Sequence, residues 1–74
     1  VEQKGMRMMN MDQISEKMRS LRKAKRLTQK ELAEKLYVTP STVSKWENGV
    51  AMPDIYAITD MADIFGVEVT ELLS

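Results

Sequence analysis

Residues 27–49 read LTQKELAEKLYVTPSTVSKWENG, and two helix starts lie within this stretch, eleven residues apart. At the first, Thr28 stands three residues before Glu31. In this T-x-x-E spacing each side chain satisfies a backbone N–H near the other, closing a capping box. Leu27 before the cap and Leu32 beyond it suit a hydrophobic staple, and Leu32, Ala33 and Leu36 form the buried stripe of a helix over about residues 28–36. The turn YVTP interrupts it. Thr39 then caps a second helix over about residues 39–47, with Pro40 at the first helical position, where a missing N–H costs nothing. Val38 and Val43 repeat the staple. Val43 and Trp46, three apart, face inward, and Asn48 with Gly49 ends the helix.

Two helices of about eight residues, joined by a three- or four-residue turn, cannot lie antiparallel along much of their length. They cross steeply, as a helix-turn-helix does.

Working outward, Ile14, Met18, Leu21 and Ala24 recur at helical intervals with charged residues at most positions between, which predicts a first helix over about residues 12–25. Asn10 and Asp12 are both suitable caps for it. On the other side, Asp54 caps a fourth helix with Ile55, Ile58, Met61, Ala62 and Phe65 at helical spacing and Gly66 as its stop. EVTELLS, residues 68–74, makes a last short turn, and Val67, Leu72 and Leu73 are placed for burial. No stretch alternates as a strand does. Residues 1–11, VEQKGMRMMNM, hold four Met and no lasting period. They read as a flexible N-terminal tail, a leader remnant or an interaction surface, ahead of one domain over residues 12–74.

The chain has 74 residues, enough for one domain and too few for two. It contains neither Cys nor His, so disulfides and the usual soft-metal ligands are missing and no cofactor is expected. No apolar run approaches the length of a membrane span, and no signal-peptide pattern is present. The expected location is the cytoplasm, for a bacterial or phage-encoded protein. Net charge is zero, yet residues 12–48 carry nine Lys or Arg against five acids, whereas residues 49–74 carry five acids and no base. A fold that keeps these segments apart has a basic face that suits a polyanion and an acidic face that does not.

LRKAKRLTQKELAEKL, Ala33, Val43, SKWENG and PDIYAITDMADIFGVEVTELL together resemble the lambda-repressor-like, or Xre-type, helix-turn-helix DNA-binding domain over residues 12–73. The resemblance implies a compact all-α, five-helix lambda-repressor-like domain that binds operator DNA as a dimer, with its third helix in the major groove. Gln29 would then touch a phosphate and brace the third helix, and Asn48 would offer its backbone and side chain to another phosphate. Pro40, Ser41, Thr42, Ser44 and Lys45 would lie on the groove side. Arg22 and Glu47 match a pair that commonly bridges the first helix and the end of the third. Ala33 matches the small residue at the close helix crossing. This chain departs from the family pattern at two positions. Tyr37 stands where the family favours Gly, in a turn whose φ is often positive and strains a bulky side chain. Arg26 replaces a frequent Gly before LTQ, and an extra cation near DNA makes that change easier to accept.

The chemistry of the third helix agrees with the resemblance. Ser and Thr hydroxyls bond to several base edges, the Thr42 methyl packs on a thymine methyl, and Lys45 reaches guanine O6 and N7 or a phosphate. The competing reading is a solvated polar face. Arg19, Lys23 and Arg26, in the cluster RSLRKAKR, join Thr39 as phosphate-contacting candidates, although the same cluster also reads as the wet side of helix 1. Trp46 has the chemistry of a stacking platform for single strands, but its spacing with Val43 places it in the core. Without His or Cys, nothing in the chain pairs a nucleophile with its base, and no enzyme is expected.

The function expected is therefore a sequence-specific, double-stranded-DNA-binding transcriptional regulator, a repressor in sign, working as a homodimer at least on DNA. No membrane or small-molecule partner is expected. The rival is an adaptor or antitoxin-type module that turns the same fold to a protein partner, using acids 54, 60, 63, 68 and 71. Leu72 and Leu73, ending the acidic part, are candidates both for the core and for the contact between copies.

Overall fold

The computed structural model describes residues 11–73. Five helices follow one another: α1 (Met11–Ala24), α2 (Gln29–Leu36), α3 (Pro40–Glu47), α4 (Ile55–Phe65) and α5 (Val69–Leu73). No strand occurs among the described residues, so the fold is all-α. The expected tail and the Asn10 cap lie outside the described residues. Asp12 is not the cap of α1, because the helix already includes Met11.

Three helix starts are fixed by local hydrogen bonds. Thr28 Oγ1 accepts from the Glu31 N–H at 3.0 Å, and Glu31 Oε1 accepts from the Thr28 N–H at 2.9 Å. Thr39 Oγ1 accepts from the Thr42 N–H at 3.1 Å, and Asp54 Oδ1 from the Ala57 N–H at 2.8 Å. Thr28 and Thr39 thus stand just before α2 and α3 rather than inside them. Such caps stabilise by about 1 kcal/mol each. At eight residues, α2 and α3 are too short to persist alone, so tertiary packing must hold them.

That packing is one cluster. Ile14 and Met18 from α1, Leu32, Ala33 and Leu36 from α2, and Val43 and Trp46 from α3 meet Ile58, Met61, Ala62 and Phe65 from α4 and Leu72 from α5. Ala33 is fully buried, and so small a residue lets α2 lie close to α3 and α4, against which it packs. α1 packs against α3 and α5.

Two expected core positions differ. Ile55 is 55% exposed, because at the first position of α4 it precedes the buried stripe, which begins at Ile58. Ala24, the last residue of α1, is exposed. Leu72 is wholly buried, as a core residue, and Leu73 is partly buried against the same core. Large apolar side chains stand exposed elsewhere, at Val50, Met52, Ile55 and Tyr56 beyond α3 and at Tyr37 in the turn between α2 and α3.

Candidate nucleic-acid interface

The outer face of α3 follows from its inner one. Val43, Trp46 and Glu47 point into the protein, leaving Pro40, Ser41 and Lys45 exposed and Thr42 and Ser44 half-buried. Thr39 before the helix and Asn48 after it are exposed as well. The hydroxyls are held in place: Thr42 Oγ1 lies 2.9 Å from Thr39 Oγ1, and Asn48 Nδ2 donates to Ser44 Oγ at 3.2 Å. The result is a polar face of short side chains with one cation near its end, the kind of surface that major-groove reading requires.

Glu47 fixes how this face is aimed. Its side chain is fully buried, and Arg22, itself nearly buried, grips the carboxylate with two bonds, Nε to Oε2 at 2.6 Å and Nη2 to Oε1 at 3.0 Å. Arg22 Nη1 also donates to the Leu27 carbonyl at 2.7 Å, tying in the connection that leads to α2. Gln29 Nε2 donates to Glu47 Oε1 at 3.1 Å from the first residue of α2. Helices α1, α2 and α3 therefore meet on one carboxylate. Breaking such a buried pair strands a charge, so the cluster specifies an orientation more than it adds net stability.

Two further donors from α1 reach the end of α3. Ser15 Oγ donates to the Trp46 carbonyl at 2.8 Å, and Arg19 donates to the Glu47 carbonyl. These carbonyls belong to the last turn of α3, past the reach of regular helical bonds, and the Trp46 carbonyl also accepts from the Gly49 N–H at 3.3 Å. Arg19, a phosphate candidate by sequence, thus has its guanidinium at the C-terminal end of α3, with Nε 3.9 Å from Glu47 Oε1 and the side chain 40% exposed. Ser15 was not singled out by sequence. Its one signal is a small hydroxyl beside Ile14, on the side of α1 that becomes buried. Lys23 and Arg26 are exposed and stand apart from the Glu47 cluster, at the end of α1 and in the turn after it.

Every buried side-chain nitrogen and oxygen among the described residues has a partner. None of their acidic residues gather in a group suited to hold a metal ion, and none of their helices is long and apolar enough to cross a membrane.

The sequence matches the family described as Helix-turn-helix over residues 18–72. It is 42% identical over 62 residues to the HTH-type transcriptional activator BcrR of Enterococcus faecalis, a match that covers 84% of this chain and 30% of that protein. The chain thus spans less than a third of that relative. Among solved structures, the SOS-response transcriptional repressor LexA from Eubacterium rectale superposes with a TM-score of 0.82 at 28% identity, over 88% of this chain and 69% of that one. The clp gene regulator ClgR from Corynebacterium glutamicum gives 0.80 at 27% identity, over 85% and 67%.

Proposed function

From the premise that the chain belongs to the helix-turn-helix family, in its lambda-repressor-like branch, we propose that it is a transcription regulator binding specific sites on double-stranded DNA, with α3 in the major groove. The observation that carries this reading is the polar face of Ser41, Thr42, Ser44 and Lys45, presented outward by a helix whose other face is locked through Glu47. Pro40, Ser41, Thr42, Ser44 and Lys45 then read base edges. Thr39, Asn48, Lys23 and Arg26 contact phosphates, and Gln29 does so from the start of α2 while bracing Glu47. Arg19 adds positive charge at the far end of α3 more than a separate phosphate clamp, since its guanidinium is engaged there. The protein acts as a repressor by occupying its operator, and the chemistry is binding alone, without catalysis.

Two copies bind together. A single module of this size buries only about 600–1,000 Å² on DNA, too little to select one site among a genome of competitors. The exposed apolar side chains beyond α3, Val50, Met52, Ile55 and Tyr56, offer the contact for a second copy. The Val50 N–H donates to the Lys45 carbonyl at 2.9 Å, which ties this surface to the end of the reading helix. A symmetric contact here sets two α3 helices side by side. Such a patch is on the order of a few hundred Å², below what a lasting free dimer needs, so pairing takes place on the duplex.

Selection of bound sites from random duplex DNA tests the reading. A recovered consensus, with binding that weakens steeply as salt rises, supports it. Recovery of no duplex, together with salt-insensitive capture of a protein partner, favours the adaptor reading instead.

A further inference from the structure

Two non-glycine residues among those described hold the left-handed conformation, Arg26 and Tyr37, both with φ of 60°. For Tyr37 this is the price of a sharp exit from α2, whose last carbonyls at Ala33 and Glu34 it caps with its N–H. The Cβ of a bulky residue crowds the following carbonyl there, and glycine would make the same turn without that crowding. The turn's own backbone enforces this conformation, with the Val38 N–H donating to the Ala33 carbonyl at 3.0 Å, the Tyr37 N–H to the Glu34 carbonyl at 3.3 Å, and Val38 packed on the core. None of that bracing uses the Tyr37 side chain. The Tyr37 side chain is 94% exposed, packs against nothing in the core, and lies two residues before the Thr39 cap of α3.

We infer that Tyr37 is a phosphate-contacting residue, its phenol hydroxyl donating to the DNA backbone beside the half-site. This rests on the reading of α3 as the groove helix. A major groove about 12 Å wide is filled by a helix about 10–12 Å across. The turn that leads into α3 therefore lies along a groove wall, and the walls are phosphates. Exposed Thr39 and Pro40 continue from this turn into the reading face. Tyrosine has a donor for a phosphate oxygen and a rigid ring that extends it from the backbone. Being neutral, it contributes no counterion release.

The test compares Tyr37→Phe and Tyr37→Gly with the unaltered protein on a duplex recovered by site selection, alongside Thr42→Ala. Tyr37→Phe keeps the ring and the strain, and is expected to bind about tenfold more weakly at an unchanged melting temperature. Tyr37→Gly is expected to melt about 3 °C higher and still to bind more weakly. Both keep the same base preference and the same dependence on salt. Tyr37→Phe binding as tightly as the unaltered protein overturns the assignment, as does Tyr37→Gly that is both more stable and equally tight. If Thr42→Ala changes base preference in that experiment, the groove reading stands while the Tyr37 assignment falls. If the unaltered protein recovers no duplex at all, both fall together.

Discussion

Glu47 decides more than any other single residue because three helices are joined through its carboxylate. Replacing it with Ala leaves the Arg22 guanidinium nearly buried without its counter-charge and removes the acceptor for Gln29. The expected cost is about 3–5 kcal/mol, measured by urea unfolding. Substituting both partners with apolar residues, Arg22→Met with Glu47→Leu, is expected to recover most of that loss, since neither charge is then stranded. A single-variant cost below about 1 kcal/mol would class the pair with exposed ion pairs instead. On the outer face the expectation is the reverse. Thr42→Ala or Lys45→Ala is expected to leave folding nearly untouched and to cost about 1–3 kcal/mol on the selected site, relaxing preference at one or two base positions. Uniform weakening on all duplexes would instead make these residues phosphate contacts. At this scale the sequence is legible only where a pattern exists. The pairing of Arg22 with Glu47 was implied by family resemblance. The bonds from Ser15 and Arg19 to the end of α3 span 31 and 28 residues, and no local spacing announces them. Arg26 reads as an easy replacement for glycine, yet its φ equals that of Tyr37.

The helices themselves were readable because their starts are local chemistry. Each cap at Thr28, Thr39 and Asp54 involves residues three apart, so the signal and the structure occupy the same few positions. The five-residue α5 carries no such bracket and depends on Leu72 reaching the core, so in the sequence it showed only as a short turn with residues placed for burial. Periodicity also placed Ile55 in the buried stripe, because spacing alone does not reveal where a helix meets its neighbours. The caps give a test that separates the reading helix from the rest of the fold. Thr39→Ala and Asp54→Ala are each expected to lower stability by about 1 kcal/mol in chemical denaturation. Only Thr39→Ala is expected to weaken DNA binding markedly at a temperature where both variants remain folded. It frees the first turn of α3, removes the partner of Thr42 Oγ1, and takes away a proposed phosphate contact. Equal losses of binding would trace the effect to global stability and leave Thr39 without a particular role.

Across the whole molecule, charge and apolar surface divide the work between two ends of the chain. The nine bases of residues 12–48 belong to α1, α2, α3 and the turn between α1 and α2, which build and support the reading face, and the five acids of residues 49–74 belong to α4, α5 and their connections. Two acidic ends brought together would repel, so a symmetric contact is better made where charge is sparse. Residues 49–56, GVAMPDIY, hold one charged residue, Asp54, whose carboxylate is occupied in capping α4. Two-fold symmetry on B-DNA then asks for a roughly palindromic site with half-site centres about 34 Å apart. A weak contact suffices there, because the first bound copy holds the second at a millimolar-scale effective concentration. Val50→Glu and Tyr56→Glu change residues that are 68% and 79% exposed, so each is expected to fold normally. Each is also expected to keep the base preference of the unaltered protein on an isolated half-site, because neither is among the base-reading residues, and any loss of affinity there is corrected for in reading cooperativity. On the full palindrome, both are expected to lose cooperativity, seen in a gel-shift titration as singly bound duplex that accumulates before the doubly bound form. Undiminished cooperativity in both variants would remove this surface from the pairing. Selected sites that repeatedly carry one unpaired half-site, filled by a single copy, would remove the dimer while leaving the groove-reading helix in place.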